Sequence, residues 1–246
     1  TFSKIAVLTD AREGIIHKEY HLSTGDPKLI GEDKVQVIGN TNFDIADQLS
    51  DMDMEAIHSK AAKEMEGRNI PIRIKNAFDP EHPGTLISRD YISPVPRVEM
   101  ICGRNDLIAI EVHDPKMVGE SGYDYRLCAC LKNHKINYIA KTTNANTITH
   151  FISERDKNLN SCLNDIRETF PDSKVETTKV GVISVIGTNM RVPGFLARAS
   201  KRLFDAGINI LAIDQTLRQV NIQFMVNRND FKQAQIVLHE EFVEKK

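Results

Sequence analysis

Apolar positions in the C-terminal part of the chain recur at a constant displacement. Tyr123, Leu127 and Leu131 return 72 positions later as Phe195, Ala199 and Leu203, and Ile136, Ile139 and Ala140 return as Ile208, Leu211 and Ala212. Leu159, Ile166 and Phe170 return as Phe231, Leu238 and Phe242. Such self-similarity is the mark of a tandem duplication. Within the second copy, the β-branched run 180–186 predicts a buried strand, and Pro193 suits the first turn of a helix whose face is Leu196, Ala199 and Leu203. Gly207 stops that helix, 208–213 is the next strand, and Ile222, Phe224 and Val226 alternate as a half-buried strand should. Asp230 caps a last helix carrying Phe231, Ala234, Leu238 and Phe242. In the first copy the same reading predicts strands at 107–112, 136–141 and 147–152 and a helix over 122–133. A helix with face Leu159, Cys162, Leu163, Ile166 and Phe170 follows, and then a bridging strand at 174–178. This βαββαβ order predicts an antiparallel sheet with both helices on one face, the ferredoxin-like arrangement.

Residues 1–88 do not repeat. They contain a short apolar helix candidate (Phe2, Ile5, Ala6), a β-like run at 14–16, polar helical segments at 43–49 and 57–66, and strict alternation at Ile70, Ile72 and Ile74. Pro80, Pro83, Gly84, Pro94 and Pro96 predict a linker. The chain therefore divides into 1–88, 98–178 and 179–246.

A net charge of -2 without a long basic run excludes nucleic acid as the main partner. No apolar stretch reaches the roughly 20 residues of a membrane span. The chain starts inside a structured-looking segment without a secretory leader, which predicts a piece of a longer cytoplasmic protein. Cys102, Cys128, Cys130 and Cys162 lack the CxxC spacing of a zinc site and are expected to be reduced, packed thiols. His17 and His21 are four apart, but in a β-like context that does not place two imidazoles on one helical face, so no metal site is expected.

The turns before the first helix of each copy, 114–122 and 188–194, are the candidate sites. A helix N-terminus offers unpaired N–H groups and a positive dipole end suited to carboxylates, and Gly122 and Gly194 permit close approach. The alternative is that each merely starts a helix. Thr142, Thr143, Asn144 and Asn146 could hold an amino group or a side-chain tip, or simply form a hairpin turn. Asp214, Gln215 and Thr216 are their counterparts in the second copy. Ser23 to Pro27 is either a phosphate-proximal loop or a surface turn.

The run NIPIRIKNAFDPEHPGTLI, 69–87, resembles the end of the catalytic domain of aspartate kinases. The runs KTTNANTITHFI and VPGFLARASKRLFDAGINI, with Gln215, resemble the paired ACT domains that follow it. REGIIHKEYHLSTGDPKLIG and GYDYRL are similar to the members associated with ectoine biosynthesis. The resemblance implies an α/β (α+β) chain, in which the C-terminal remnant of an amino-acid kinase sandwich precedes two ACT units. It also implies a parent enzyme that uses ATP with Mg to phosphorylate the β-carboxylate of aspartate. The family's Lys-Phe-Gly-Gly and Gly-Arg-Gly-Gly-Ser-Asp motifs have no match, so no kinase activity and no bound cofactor are expected of this chain alone. Remnant nucleotide contacts fall at His17, Lys18, Ser23, Asp26, Pro27, Lys28 and Glu55. An amino-acid effector, threonine or lysine, is expected at Met117, Gly119, Ser121, Gly122, Tyr123 and Asp124, against Tyr138, Thr142, Thr143, Asn144 and Asn146. Asn189, Val192, Pro193, Gly194 and Gln215 are the corresponding positions of the second copy. Tyr138 stands where lysine-sensing members carry an acidic residue. Homodimerisation through the ACT units is implied, and the alternative is a dimerisation module without amino-acid sensing.

Overall fold

The computed structural model describes residues 2–50, 52 and 57–245. Its N-terminal unit runs α1 (Phe2–Leu8), β1 (Gly14–Lys18), α2 (Pro27–Ile30), β2 (Asn40–Asn42), α3 (Phe43–Ser50), α4 (Ser59–Gly67), β3 (Ile72–Asn76) and β4 (Thr85–Ser88). The four strands lie in the order β1-β3-β4-β2, with β3 and β4 antiparallel and the outer pairs parallel. Ile72 and Ile74 point inward as their alternation predicts, joining Phe43, Ile45, Leu49, Met65 and Ile87 in one core. The β3–β4 connection needs Gly84, at φ +72°, because a β-carbon there would come within 2.1 Å of the Ile74 carbonyl oxygen. Helix α1 forms over the expected apolar segment. It buries Ser3 and Ala6, while Phe2 and Ile5 lie on its exposed side. The small residues let α1 pack on α4, where the Ser3 hydroxyl donates to Glu64 at 2.6 Å.

The remainder forms one six-stranded sheet. Its strands are β5 (Arg97–His113), β6 (Tyr138–Thr143), β7 (Thr147–Ser153), β8 (Lys174–Thr188), β9 (Ile210–Gln215) and β10 (Asn221–Asn227), ordered β6-β7-β5-β8-β10-β9. The helices are α5 (Tyr123–Asn133), α6 (Leu159–Thr169), α7 (Phe195–Asp205) and α8 (Phe231–His239). Helices α5 and α7, strands β6 and β9, and helices α6 and α8 all begin 72 residues apart, as the repeat requires.

Two strands are longer than expected. The strand predicted at 107–112 begins at Arg97, and those predicted at 174–178 and 180–186 are the single strand β8, so the division at residue 178 falls inside it. Antiparallel pairing joins β5 and β8 over almost their whole length, with irregularities at Val98/Met100 and Arg104/Leu107. The later half of β5 and the start of β8 complete the first repeat, in the order β6-β7-β5-β8. Residues 97–104 pair with 182–188 and supply the second repeat with its fourth strand. Each repeat thus has the ferredoxin-like strand order, and the two share a continuous sheet.

All four helices cover one face. Leu127, Leu131, Cys162 and Ile166 pack on Ile110, Val112, Ile148 and Ile152 in the first repeat. Ala199, Leu203, Ala234 and Leu238 pack on Ile183, Val185, Ile222 and Phe224 in the second. The opposite face, through Met100, Val182, Ile186 and Met225, shares its core with the N-terminal unit. The sheet curls until edge strands β6 and β9 approach each other, leaving a trough of about 610 Å³ on its helix-free side.

A buried carboxylate fastens the two units. Glu99, 1% exposed, accepts the Thr41 hydroxyl at 2.7 Å and the Thr188 hydroxyl at 2.7 Å. Thr188 in turn accepts the backbone N–H of Ser93 at 3.1 Å. The second anchor is the loop before α2. The Ile101 N–H donates to the Thr24 carbonyl at 2.8 Å, and the Thr24 hydroxyl lies 2.9 Å from Nε2 of the buried His239 on α8.

Candidate effector site

Helix α5 starts at Gly122, whose φ of +82° is left-handed and whose lack of a side chain leaves the first-turn N–H groups without a side-chain cap. Helix α7 starts the same way at Gly194, with φ +114° and no side-chain cap. Beside the α5 start runs β6, which pairs with β7 on one side and is otherwise an unpaired edge of its sheet. Asp124, in the first turn of α5, bonds Lys141 of β6 at 2.7 Å, and its side chain stays half exposed. The Lys141 bond holds Asp124 below the usual carboxylate range. Burial pulls Lys141 down more than any other single influence, but the Asp124 bond and the attraction of the Asp124 charge together leave it raised.

Beneath this ion pair lie Cys128, one turn along α5, and His150 of β7. Cys128 Sγ is 3.7 Å from Asp124 Oδ1 and 3.9 Å from His150 Nε2, and the donor atoms of all three residues lie within 4.8 Å of one another. His150 is pushed down to about 4 by burial and by the neighbouring Lys141, so its imidazole is neutral at pH 7. Tyr138 packs edge-on against it, with ring centroids 5.1 Å apart.

The structure therefore draws Asp124 and Tyr138 together and adds Cys128, Lys141 and His150, which the sequence reading passed over. Lys141 and His150 sit opposite each other in the β6–β7 register, a pairing that no sequence spacing announces.

Several expected contacts are placed otherwise. Met117 and Tyr123 are core side chains of the first repeat. Tyr123 stacks on Phe170 at 4.7 Å, and its hydroxyl lies 2.7 Å from Ser173 Oγ and 3.1 Å from Asp114 Oδ2. At these two positions only the main chain can meet a ligand. Gly119, at φ +82°, and Ser121 are exposed in the turn. Thr142, Thr143 and Asn144 line the trough on the helix-free side. Strand alternation explains Thr142, which faces away from α5 because Lys141 reaches it, while Thr143 and Asn144 meet the trough where β6 ends. Asn146 reaches the α5 region through its carbonyl, which accepts the Asp114 N–H at 2.9 Å. In the second copy, Asn189 donates its amide to the Ser93 carbonyl at 3.3 Å. Val192, Pro193, Gly194 and Gln215 are exposed.

The expected nucleotide positions form an ordered loop. Asp26 caps α2 by accepting the Lys28 N–H at 2.9 Å, and Pro27 occupies the first turn. Ser23 is buried and donates its hydroxyl to the Gly25 carbonyl at 2.8 Å, so it faces inward rather than toward a ligand. His17 and Lys18 end β1, and Lys28 is exposed. Glu55 lies outside the described residues.

Residues 183–242 match the family model of the ACT domain. Over 99% of its length the chain is 47% identical to the aspartate kinase Ask_Ect of Stutzerimonas stutzeri (strain A1501), of which it covers 51%. The crystal structure of Clostridium acetobutylicum aspartate kinase superposes on 98% of the chain at 19% identity with a TM-score of 0.88, over 57% of that protein. E. coli aspartokinase III, in complex with lysine and aspartate, superposes on 99% of the chain at 19% identity with a TM-score of 0.80, over 54% of its length. The two structural likenesses concern the fold. The chain spans about half the length of this curated relative, Ask_Ect. It is a homologue of aspartate kinases, and its likeness to Ask_Ect supports the ectoine-associated subgroup.

Proposed function

We propose that this aspartate kinase homologue is the regulatory, effector-binding and dimerising part of an enzyme that transfers the γ-phosphate of ATP to the β-carboxylate of L-aspartate, giving 4-phospho-L-aspartate. The observation that carries the reading is the uncapped, glycine-started helix α5 facing the unpaired edge of β6. A zwitterionic amino acid fits such a place. Its carboxylate takes the free N–H groups and positive dipole end of the helix, and its ammonium group takes the half-exposed Asp124 carboxylate. Threonine or lysine is the proposed effector, and lysine is bound in the E. coli relative named above. The part of the β6 edge beyond its approach to β9 is the proposed dimer contact, since an unpaired strand edge is a template for a second strand. The parent enzyme is cytoplasmic in this reading and uses ATP with Mg. The residues expected to touch nucleotide include a buried Ser23 and a capping Asp26, which supports no nucleotide turnover by this chain alone. Binding at α5 can reach the nucleotide loop because β5 and β8 run through both repeats, and Ile101 and His239 hold Thr24.

Calorimetric titration of the chain with lysine, threonine and methionine tests the reading. Heat and a raised melting temperature are expected with one of them, weakened in Asp124→Ala. Absence of both signals for all three amino acids removes the sensor function.

The Asp124–Lys141 ion pair favours a second reading, because it already occupies the space between helix start and edge strand. In that case the paired repeats only dimerise. Sedimentation then shows concentration-dependent association that none of the amino acids alters.

A further inference from the structure

Cys128 and His150 converge on Asp124 in a way that neither the fold nor the proposed effector chemistry requires. Asp124 and Cys128 are four apart on α5 and so lie on one helical face, and His150 reaches them from β7 beneath. The sulfur is 3.7 Å from Asp124 Oδ1 and 3.9 Å from His150 Nε2. In a tetrahedral zinc site, Zn–S of about 2.3 Å and Zn–N of about 2.0 Å set sulfur and nitrogen about 3.5 Å apart. The sulfur therefore stands within about 0.4 Å of coordination spacing from both other donors, and all three donor atoms lie within 4.8 Å of one another, so side-chain adjustment closes the site. We propose that Asp124 Oδ1, Cys128 Sγ and His150 Nε2 bind a borderline-soft divalent cation of the zinc class, with a fourth position open toward solvent beside Asp124.

The donor set is selective. A thiolate and an imidazole favour zinc or cobalt over magnesium and calcium, which prefer all-oxygen shells. Binding replaces the thiol proton, which leaves to solvent as the S–metal bond forms; no electron transfer is involved. Lys141 remains on the other carboxylate oxygen, at 2.7 Å from Oδ2, and orients Asp124 as outer-shell partners of metal ligands do. The half-exposed Asp124 side chain marks the entry path, and the cation would pin the first turns of α5 to the sheet.

The test uses the full chain stripped with a chelator and titrated with Co²⁺, followed by displacement with Zn²⁺. One equivalent of cobalt is expected to produce a thiolate-to-cobalt charge-transfer band that Zn²⁺ abolishes. Cys128→Ser removes the band. Asp124→Asn and His150→Gln weaken binding by about 100-fold or more, beyond the 10–100-fold typical of outer-shell changes. Cys130→Ser, at a sulfur outside the cluster, leaves band and affinity unchanged. An unchanged circular dichroism spectrum and urea midpoint for Asp124→Asn separate loss of a metal ligand from loss of folding. Absence of a thiolate band in the unaltered chain overturns the proposal, as does a band that survives Cys128→Ser. Binding of cobalt without any response to amino acids would leave the metal site standing and remove the sensor function alone.

Discussion

Replacing Glu99 probes how the two structural units are held together. Its carboxylate is 1% exposed and accepts two hydroxyls, from Thr41 of β2 and Thr188 at the end of β8, each at 2.7 Å. The Arg97 guanidinium is 3.9 Å away and 43% exposed, so most of the carboxylate's stabilisation comes from the two hydroxyl donors. Glu99→Ala leaves two buried O–H groups without an acceptor. Each such loss costs about 1–3 kcal/mol, offset in part because a charge no longer has to be buried. The expected net destabilisation is about 3 kcal/mol, equivalent to roughly 6–12 °C in Tm for a chain of this size. Glu99→Leu refills the volume but not the acceptors and is expected to fall within about 1 kcal/mol of Glu99→Ala. Glu99→Gln keeps one carbonyl acceptor and costs about 1 kcal/mol. The triple change Thr41→Val, Glu99→Leu, Thr188→Val removes both hydroxyl donors with their acceptor and recovers part of the loss, the rest being the Ser93 N–H left without its Thr188 acceptor. Urea denaturation monitored by circular dichroism measures all four. Glu99→Leu as stable as the unaltered chain, or Glu99→Gln as damaging as Glu99→Ala, would refute the hydrogen-bond reasoning.

Glycine substitutions separate strain from collision. Gly122→Ala meets open space and pays only the left-handed conformation, about 1–2 kcal/mol, whereas Gly84→Ala also drives a β-carbon to 2.1 Å from the Ile74 oxygen and is expected to lose far more. Equal thermal shifts for the two would contradict this. Asp106 is held below the usual carboxylate range chiefly by its bonds from Arg104, from Nε to Oδ1 and from Nη2 to Oδ2, each at 2.8 Å. With a folded value below the unfolded value of about 3.9, its contribution is present above pH ~4 and is lost as pH falls further. The stability gap between the unaltered chain and Asp106→Asn should therefore shrink on acidification from pH ~5 toward ~2, and a gap that widens in urea titrations at those pH values counts against it. Leu131→Ala and Leu203→Ala delete equivalent buried side chains of the two repeats, and each is expected to cost about 2–5 kcal/mol. A loss below about 1 kcal/mol at either position, again by urea denaturation, would show that its core is not packed as described.

The candidate site was only partly legible in the chain. Gly122 and Gly194 announced both uncapped helix starts, since a glycine before an apolar helical face has few other uses. Asp124 and Tyr138, both readable from the chain, lie beside the α5 start, against Lys141 and His150. Tyr123 and Met117 were assigned to the ligand because they flank that glycine, yet the helix start turns both side chains into the core. Thr142 was grouped with the helix start by proximity in sequence, although strand alternation turns it away from Lys141 and α5. Cys128, Lys141 and His150 each carry an ordinary reading alone, and become a cluster only when β6, β7 and α5 are in contact.

Local periodicity by itself determined the duplication, the type and order of the repeat elements, and the side each helix buries, because those properties are written within a few turns or a few strand residues. The tertiary structure decided what joins distant segments. The two repeats share β5 and β8 in one sheet, Glu99 bonds partners 58 and 89 residues away, and the loop before α2 meets His239 at the far end of the chain. Such pairings depend on the register and curl of the assembled sheet, which no window of sequence contains.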